Sequence, residues 1–121
     1  MSQGLFDTLA PAKSTDRLLS AANTVNATIV KATPGVIFSI EGFNAATITY
    51  LKLYDKATTP DENDTPKRTI YLPASLRFQI DFGRGLNFVN GISYRMTTAG
   101  ADNSTAAVAA AAVLAMNIDY T

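Results

Sequence analysis

The chain of 121 residues contains no histidine, no cysteine and no tryptophan. It therefore lacks the commonest general base, the thiol nucleophile and the softest metal ligands, which excludes histidine-based triads, structural zinc sites and disulfide frameworks. A cysteine-free chain is compatible with synthesis in a reducing cytosol. Long apolar runs are missing too. No stretch approaches the roughly eighteen consecutive apolar residues of a membrane span, and no basic segment followed by an apolar one opens the sequence, so neither a span nor a signal peptide is expected. Neither sign of charge is in excess: ten basic and ten acidic residues cancel. That balance argues against a nucleic-acid binder, because neutralising phosphates takes a clustered surplus of Lys and Arg. It also leaves little repulsion between copies, which suits a part that ends up assembled.

What the chain has is alternation. Leu76-Arg77-Phe78-Gln79-Ile80-Asp81-Phe82 switches between apolar and polar without an error, the signature of a strand with one dry and one wet face. Seven such segments are read, over 24–32, 36–43, 48–55, 67–72, 76–82, 86–98 and 113–120. Pro34-Gly35, Pro73-Ala74-Ser75, Gly83-Arg84-Gly85 and Asn90-Gly91 punctuate them as turns or bulges. With 47% hydrophobic residues the chain fills one core. The pattern predicts an all-β fold, a single β-sandwich of jelly-roll or Ig-like type, with a compact barrel as the alternative. The expected core includes Phe38, Ile40, Leu51, Leu53, Ile70, Leu72, Phe78, Ile80, Met116 and Ile118. Val25, Ala27 and Ile29 are placed on one side of the first strand, and Val36 inward with Phe38.

Two segments read differently. Residues 1–23 are expected to be an extended N-terminal arm preceding a sandwich domain over 24–121. Within the arm, Ser14-Thr15-Asp16 could cap a helical turn or two through Ala22, and Leu5, Phe6 and Leu9 form an apolar group that packs on its own sandwich or engages a neighbouring chain. The alanine-rich run over 105–112 has the highest helix propensity in the chain, so a short helix or turn precedes the last strand, read from Val113.

Little in the sequence supplies chemistry. Asp61, Glu62, Asn63 and Asp64 are dense in oxygen ligands, but the glycine and distal glutamate of a calcium loop are absent, so the segment reads as a solvated loop. Gly83-Arg84-Gly85 has no helix after it to bind phosphate. Serines lack an activating base, and although Glu41, Asp55 and Asp81 sit on strands, a glycosidase pair is weakly supported by ten acids that lie mostly in loops. No catalytic residue, cofactor or metal is expected, and the chain is read as a non-enzyme. Contact residues are better represented: Tyr50, Tyr54, Tyr71, Arg77 and Arg95 fall on strand faces assigned outward, and Tyr and Arg are the types that anchor interfaces.

The succession Ala32-Thr33-Pro34-Gly35, Tyr50-Leu51-Lys52-Leu53-Tyr54-Asp55-Lys56-Ala57, Asp64-Thr65-Pro66, Leu72-Pro73-Ala74-Ser75, Gly91-Ile92-Ser93-Tyr94 and Asn117-Ile118-Asp119-Tyr120 resembles small β-sandwich proteins of tailed-bacteriophage virions. The resemblance covers about residues 24–121, and the alanine-rich run departs from the polar turn it leads one to expect. It implies a capsid decoration, or cement, protein: a homotrimer on the virion surface that binds the major capsid protein, with no nucleic-acid or membrane partner. A tail, neck or head-fibre component and a glycan-binding attachment module are the alternatives.

Overall fold

The computed structural model describes residues 13–121. Eight strands follow one another: β1 (Ser14–Ser20), β2 (Thr28–Lys31), β3 (Gly35–Asn44), β4 (Thr49–Asp55), β5 (Arg68–Leu72), β6 (Leu76–Phe88), β7 (Ile92–Thr97) and β8 (Val113–Tyr120). They form two four-stranded sheets, ordered β1-β8-β3-β6 and β2-β7-β4-β5, with every pairing antiparallel. The partners β1·β8, β2·β7, β3·β6 and β4·β5 nest like one long hairpin rolled onto itself. This is jelly-roll winding. It separates the fold from both the Ig-like sandwich and the closed barrel, since each sheet keeps two edges.

The inner faces bury Ile37, Ile40, Leu51, Leu53, Leu72, Ile92, Met96, Met116 and Ile118 completely, with Phe78, Phe88 and Tyr94 nearly so. Nine of the ten residues expected in the core pack there, Ile70 and Ile80 at its margin. Phe38 does not. The register between β3 and β6 passes from Ile37↔Leu86 to Ser39↔Asp81, so two steps along β3 face five along β6. This bulge turns Phe38 to the outer face, where Lys13 Nζ lies 4.5 Å from its ring centre. Val36 is likewise only half-buried, whereas Ile37 takes the inward position.

The same bulge absorbs Gly83-Arg84-Gly85, which lies inside the thirteen-residue β6 instead of forming a turn. Gly83 and Gly85 adopt φ of 60° and 109°, and a Cβ on Gly85 would collide with Val36 Cγ1. The turn comes later, at Asn90-Gly91, where Asp55 Oδ1 accepts a 2.8 Å bond from the Asn90 amide. In β2 the alternation is shifted by one residue: Ile29 is exposed and Val30 packs against the core, with a register irregularity between Ile29 and Lys31. Leu76, at the start of β6, is exposed as well.

Residues 14–20 are a strand, not helical turns. A seven-residue helix is marginal in isolation, while the free edge of β8 offers a full ladder, taken from Ser14↔Tyr120 to Ser20↔Leu114. β1 therefore belongs to the sandwich, and the segment expected as an arm overlaps it. Leu5, Phe6 and Leu9 lie outside the described residues. The alanine-rich run forms no helix: Ala111 N donates to Ala21 O, Ala112 O accepts from Ala45 N, and β8 begins at Val113 as read from the sequence.

β1 contributes Leu18 and Asp16 to the inner side, since their partners Met116 and Ile118 face the core. Burial pushes the Asp16 carboxyl above its ordinary value. A raised folded-state pKa means that the folded chain binds more protons than the unfolded one between the two values, so stability falls as pH rises through that window. Asp16→Asn is expected to raise the melting temperature at pH 7 and to flatten the acid-side slope of stability. An unchanged or lower melting temperature at pH 7 would contradict the burial of Asp16.

In the core proper, Phe78→Ala is expected to cost about 3–5 kcal/mol and Ile118→Ala about 2–5 kcal/mol, as cavity-forming truncations of packed side chains. Urea titration followed by circular dichroism checks both. A change below about 1 kcal/mol would contradict their placement.

Candidate interaction surface

The outward positions of the second sheet alternate Tyr50, Lys52 and Tyr54 on β4 with Ser93, Arg95 and Thr97 on β7, and Tyr71 stands beside Tyr50 on β5. This is the aromatic and cationic face that the sequence presents as a contact surface. The chain seals most of it with its own loop. Over residues 98–106 the backbone crosses the sheet: Thr98 N donates to Ala106 O, the Lys52 ammonium to Ala101 O, and Arg95 Nη2 to Ser104 O at 2.8 Å. A Cβ at Gly100 would stand 3.2 Å from the Tyr50 ring, so glycine lets the loop lie flat on the aromatic surface.

As a result Tyr54 and Arg95 are 1% exposed and Lys52 is fully buried. Tyr54 and Arg95 are therefore not surface anchors. Arg95 Nη1 donates to the Tyr54 hydroxyl at 3.2 Å, and together they hold the roof down. Tyr50 is half-buried, and Tyr71, 52% exposed, packs edge-on against it at 5.6 Å. Arg77 lies on the other sheet. The five described candidates thus divide between one buried network, one aromatic pair at an edge and one isolated arginine.

Among the described residues nothing roofs the outer face of the first sheet in this way. Ser39, Glu41 and Phe43 on β3 lie between Arg77, Gln79 and Asp81 on β6 and Asn117 and Asp119 on β8, with Thr15 and Arg17 of β1 beyond. Its polar groups pair locally: Asp119 accepts from the hydroxyls of Thr15 and Ser39, and Arg77 approaches Glu41 at 3.6 Å. A shallow depression of about 330 Å³ opens between Glu41, Gly42, Phe43, Arg77, Ala115 and Asn117. Gly42 lines its floor and faces inward, where a Cβ would meet the Phe78 ring at 2.6 Å, so glycine makes room for Phe78 in the core beneath. Ala115, at φ 51°, bulges β8 on the opposite side. Phe43 stands over the depression, exposed on a mostly polar face that also carries Phe38 and Leu19.

Sequence reasoning did not single out Phe43, although alternation from the inward Ile40 already turns it outward. The roof had a signal: residues 98–112 carry a single charge, Asp102, which is unusual for a free surface loop. The acidic loop is internally engaged. Asp64 Oδ2 takes Lys56 Nζ at 2.7 Å and the Asp61 amide at 2.8 Å, while Asp61 Oδ1 takes the Asn63 amide. The Lys56 ammonium holds the Asp64 carboxyl below the usual carboxylate range. Among the described residues no group of three or more Asp, Glu, His or Cys is placed to hold a metal ion.

Lys52 and Arg95 are direct cross-strand partners, so two cations are buried side by side. Burial, then the Arg95 charge, pushes the Lys52 ammonium below its ordinary value, and Asp102 opposes this in part. With a depressed folded-state pKa, the unfolded chain binds more protons in the window up to about 10.4, so stability rises with pH there. Tyr54 and Tyr94, both pushed up by burial, act in the opposite direction from about pH 10. Chemical denaturation between pH 8 and about pH 10 is expected to show this rise, and Lys52→Met is expected to abolish it. A slope that persists in Lys52→Met would assign it to another group. Comparison with protein-family models, with curated proteins and with solved structures finds no match to this chain, so its reading rests on its own residues.

Proposed function

We propose that the protein is a structural component of a tailed-bacteriophage virion: a capsid decoration, or cement, protein that docks on the assembled head as a homo-oligomer, a trimer in this reading, and staples neighbouring major capsid subunits. One observation carries the docking part. The second sheet is sealed by the chain's own loop, while among the described residues the first presents an uncovered, hydrogen-bonded face with Phe43 beside an open depression and Arg77 and Glu41 at its rim. A rigid sandwich with one sealed and one open face suits a part that lies flat against a larger surface. The sequence resemblance over 24–121 points the same way.

Such a role uses no bond-breaking chemistry. A protein that binds the assembled shell and not its dissociated subunits stabilises the shell by mass action, and linked copies add avidity. Phe43 supplies the apolar anchor, Arg77 and Glu41 the charged rim that sets orientation and encounter rate.

Phe43→Asp is expected to weaken binding to empty heads at least about tenfold, and Arg77→Glu to reduce binding most at low salt, both with unchanged circular dichroism. Pelleting with purified heads measures this. Quantitative mass spectrometry of particles adds the location: copies on the order of hundreds fit a shell protein, about a dozen a neck or tail component. Wild-type binding by both variants would remove the first sheet from the contact.

A further inference from the structure

The loops at one end of the sandwich, 21–27, 45–48, 73–75 and 98–112, contain one charged residue, Asp102. That residue lies on the stretch that crosses the second sheet, next to Ala101, whose carbonyl accepts from the buried Lys52 ammonium. The loops are tied together: Ala21 N donates to Val113 O, Val108 N to Thr24 O, and Asn44 Nδ2 to Thr47 O and Leu72 O. Around them Leu19, Ile48 and Leu76 are exposed, as are five of the six residues at 106–111, all alanine. At the opposite end the loops 32–34, 56–67 and 89–91 carry Lys56, Asp61, Glu62, Asp64 and Lys67.

We propose that the uncharged end is the surface through which copies of this chain associate with one another. The charge distribution selects that occupant. Two copies meeting through this end bring no like charges together, whereas meeting through the other end would oppose two sets of Asp61, Glu62 and Asp64. A foreign partner recognised by charge would find nothing here to pair with, while a second copy supplies the same uncharged, alanine-flattened surface. Exposed alanines let backbones approach closely, and Leu19, Ile48 and Leu76 supply larger side chains at the rim. A stable contact needs about 800 Å² from each partner, roughly one eighth of the chain's 6466 Å², which one end of the sandwich can provide. The inference deepens the homo-oligomer in the reading above, and its test uses no capsid, so the two can fail separately.

Sedimentation equilibrium over a wide concentration range tests it with the full chain, Ala110→Glu, Ile48→Glu and, at the charged end, Val89→Glu. All three positions are exposed, so circular dichroism is expected to remain that of the wild type. The wild type is expected to associate to a small closed oligomer. Ala110→Glu and Ile48→Glu should each weaken association at least about tenfold, while Val89→Glu associates as the wild type does. If Ile48→Glu perturbs the fold, Ala110→Glu decides alone. A wild type that stays monomeric throughout, an Ala110→Glu variant that associates normally, or dissociation by Val89→Glu alone would each overturn the proposal.

Discussion

The structure depends on the insertion of β8 between β1 and β3. β8 is the last strand in sequence and the central partner of the first sheet, joining an edge formed at residues 14–20 to strands formed at 35–44. Without it β1 has no ladder and the core loses Met116 and Ile118. Its position also determines the course of the chain before it. To pass from β7 in one sheet to β8 in the other, residues 98–112 cross the outside of the second sheet and return around its end. Contacts of such long sequence separation form late and slowly, as in other sandwiches.

That crossing explains the least usual feature of the molecule, a sheet face with polar side chains on the outside that is nevertheless dry. Lys52, Arg95, Tyr54, Ser93 and Thr97 would serve an exposed face well. Once covered, each needs a partner, and among the described residues no buried side-chain nitrogen or oxygen lacks one. The partners are mostly loop carbonyls, Ala99, Ala101 and Ser104, so the loop is held by charge-assisted and neutral hydrogen bonds more than by apolar packing. Removing one partner would strand a buried polar group, which ties the loop's position to the identity of the strands beneath.

The two sheets and the two ends are therefore unequal in different ways. One sheet is sealed and the other open; one end is uncharged and apolar, the other charged. The two proposals assign a direction to each kind of contact: docking through the open face, association through the uncharged end. Phe43 and Leu76 sit where the open face meets that end, on paired strands β3 and β6.

Most of the fold was legible in the residues, because alternation with period two reports directly which face of a strand is dry. The strands β4, β7 and β8 and nine of ten core positions follow from it, as does the start of β8 at Val113. The bulge at Ile37/Ser39 shifts the alternation by one residue, and a shift of one reverses inside and outside, as happened for Phe38. Strand β1 was misread because its conformation is set by the free edge of β8, about a hundred residues away. The contact face was misread for a related reason: period two distinguishes the core face from the other face, but not whether another part of the chain covers that other face. The sequence by itself determined an all-β sandwich with one core and an uncharged alanine-rich segment. The winding and the sealing of Tyr54 and Arg95 come from the tertiary structure, because each depends on which distant part of the chain lies alongside and not on the residues next in line.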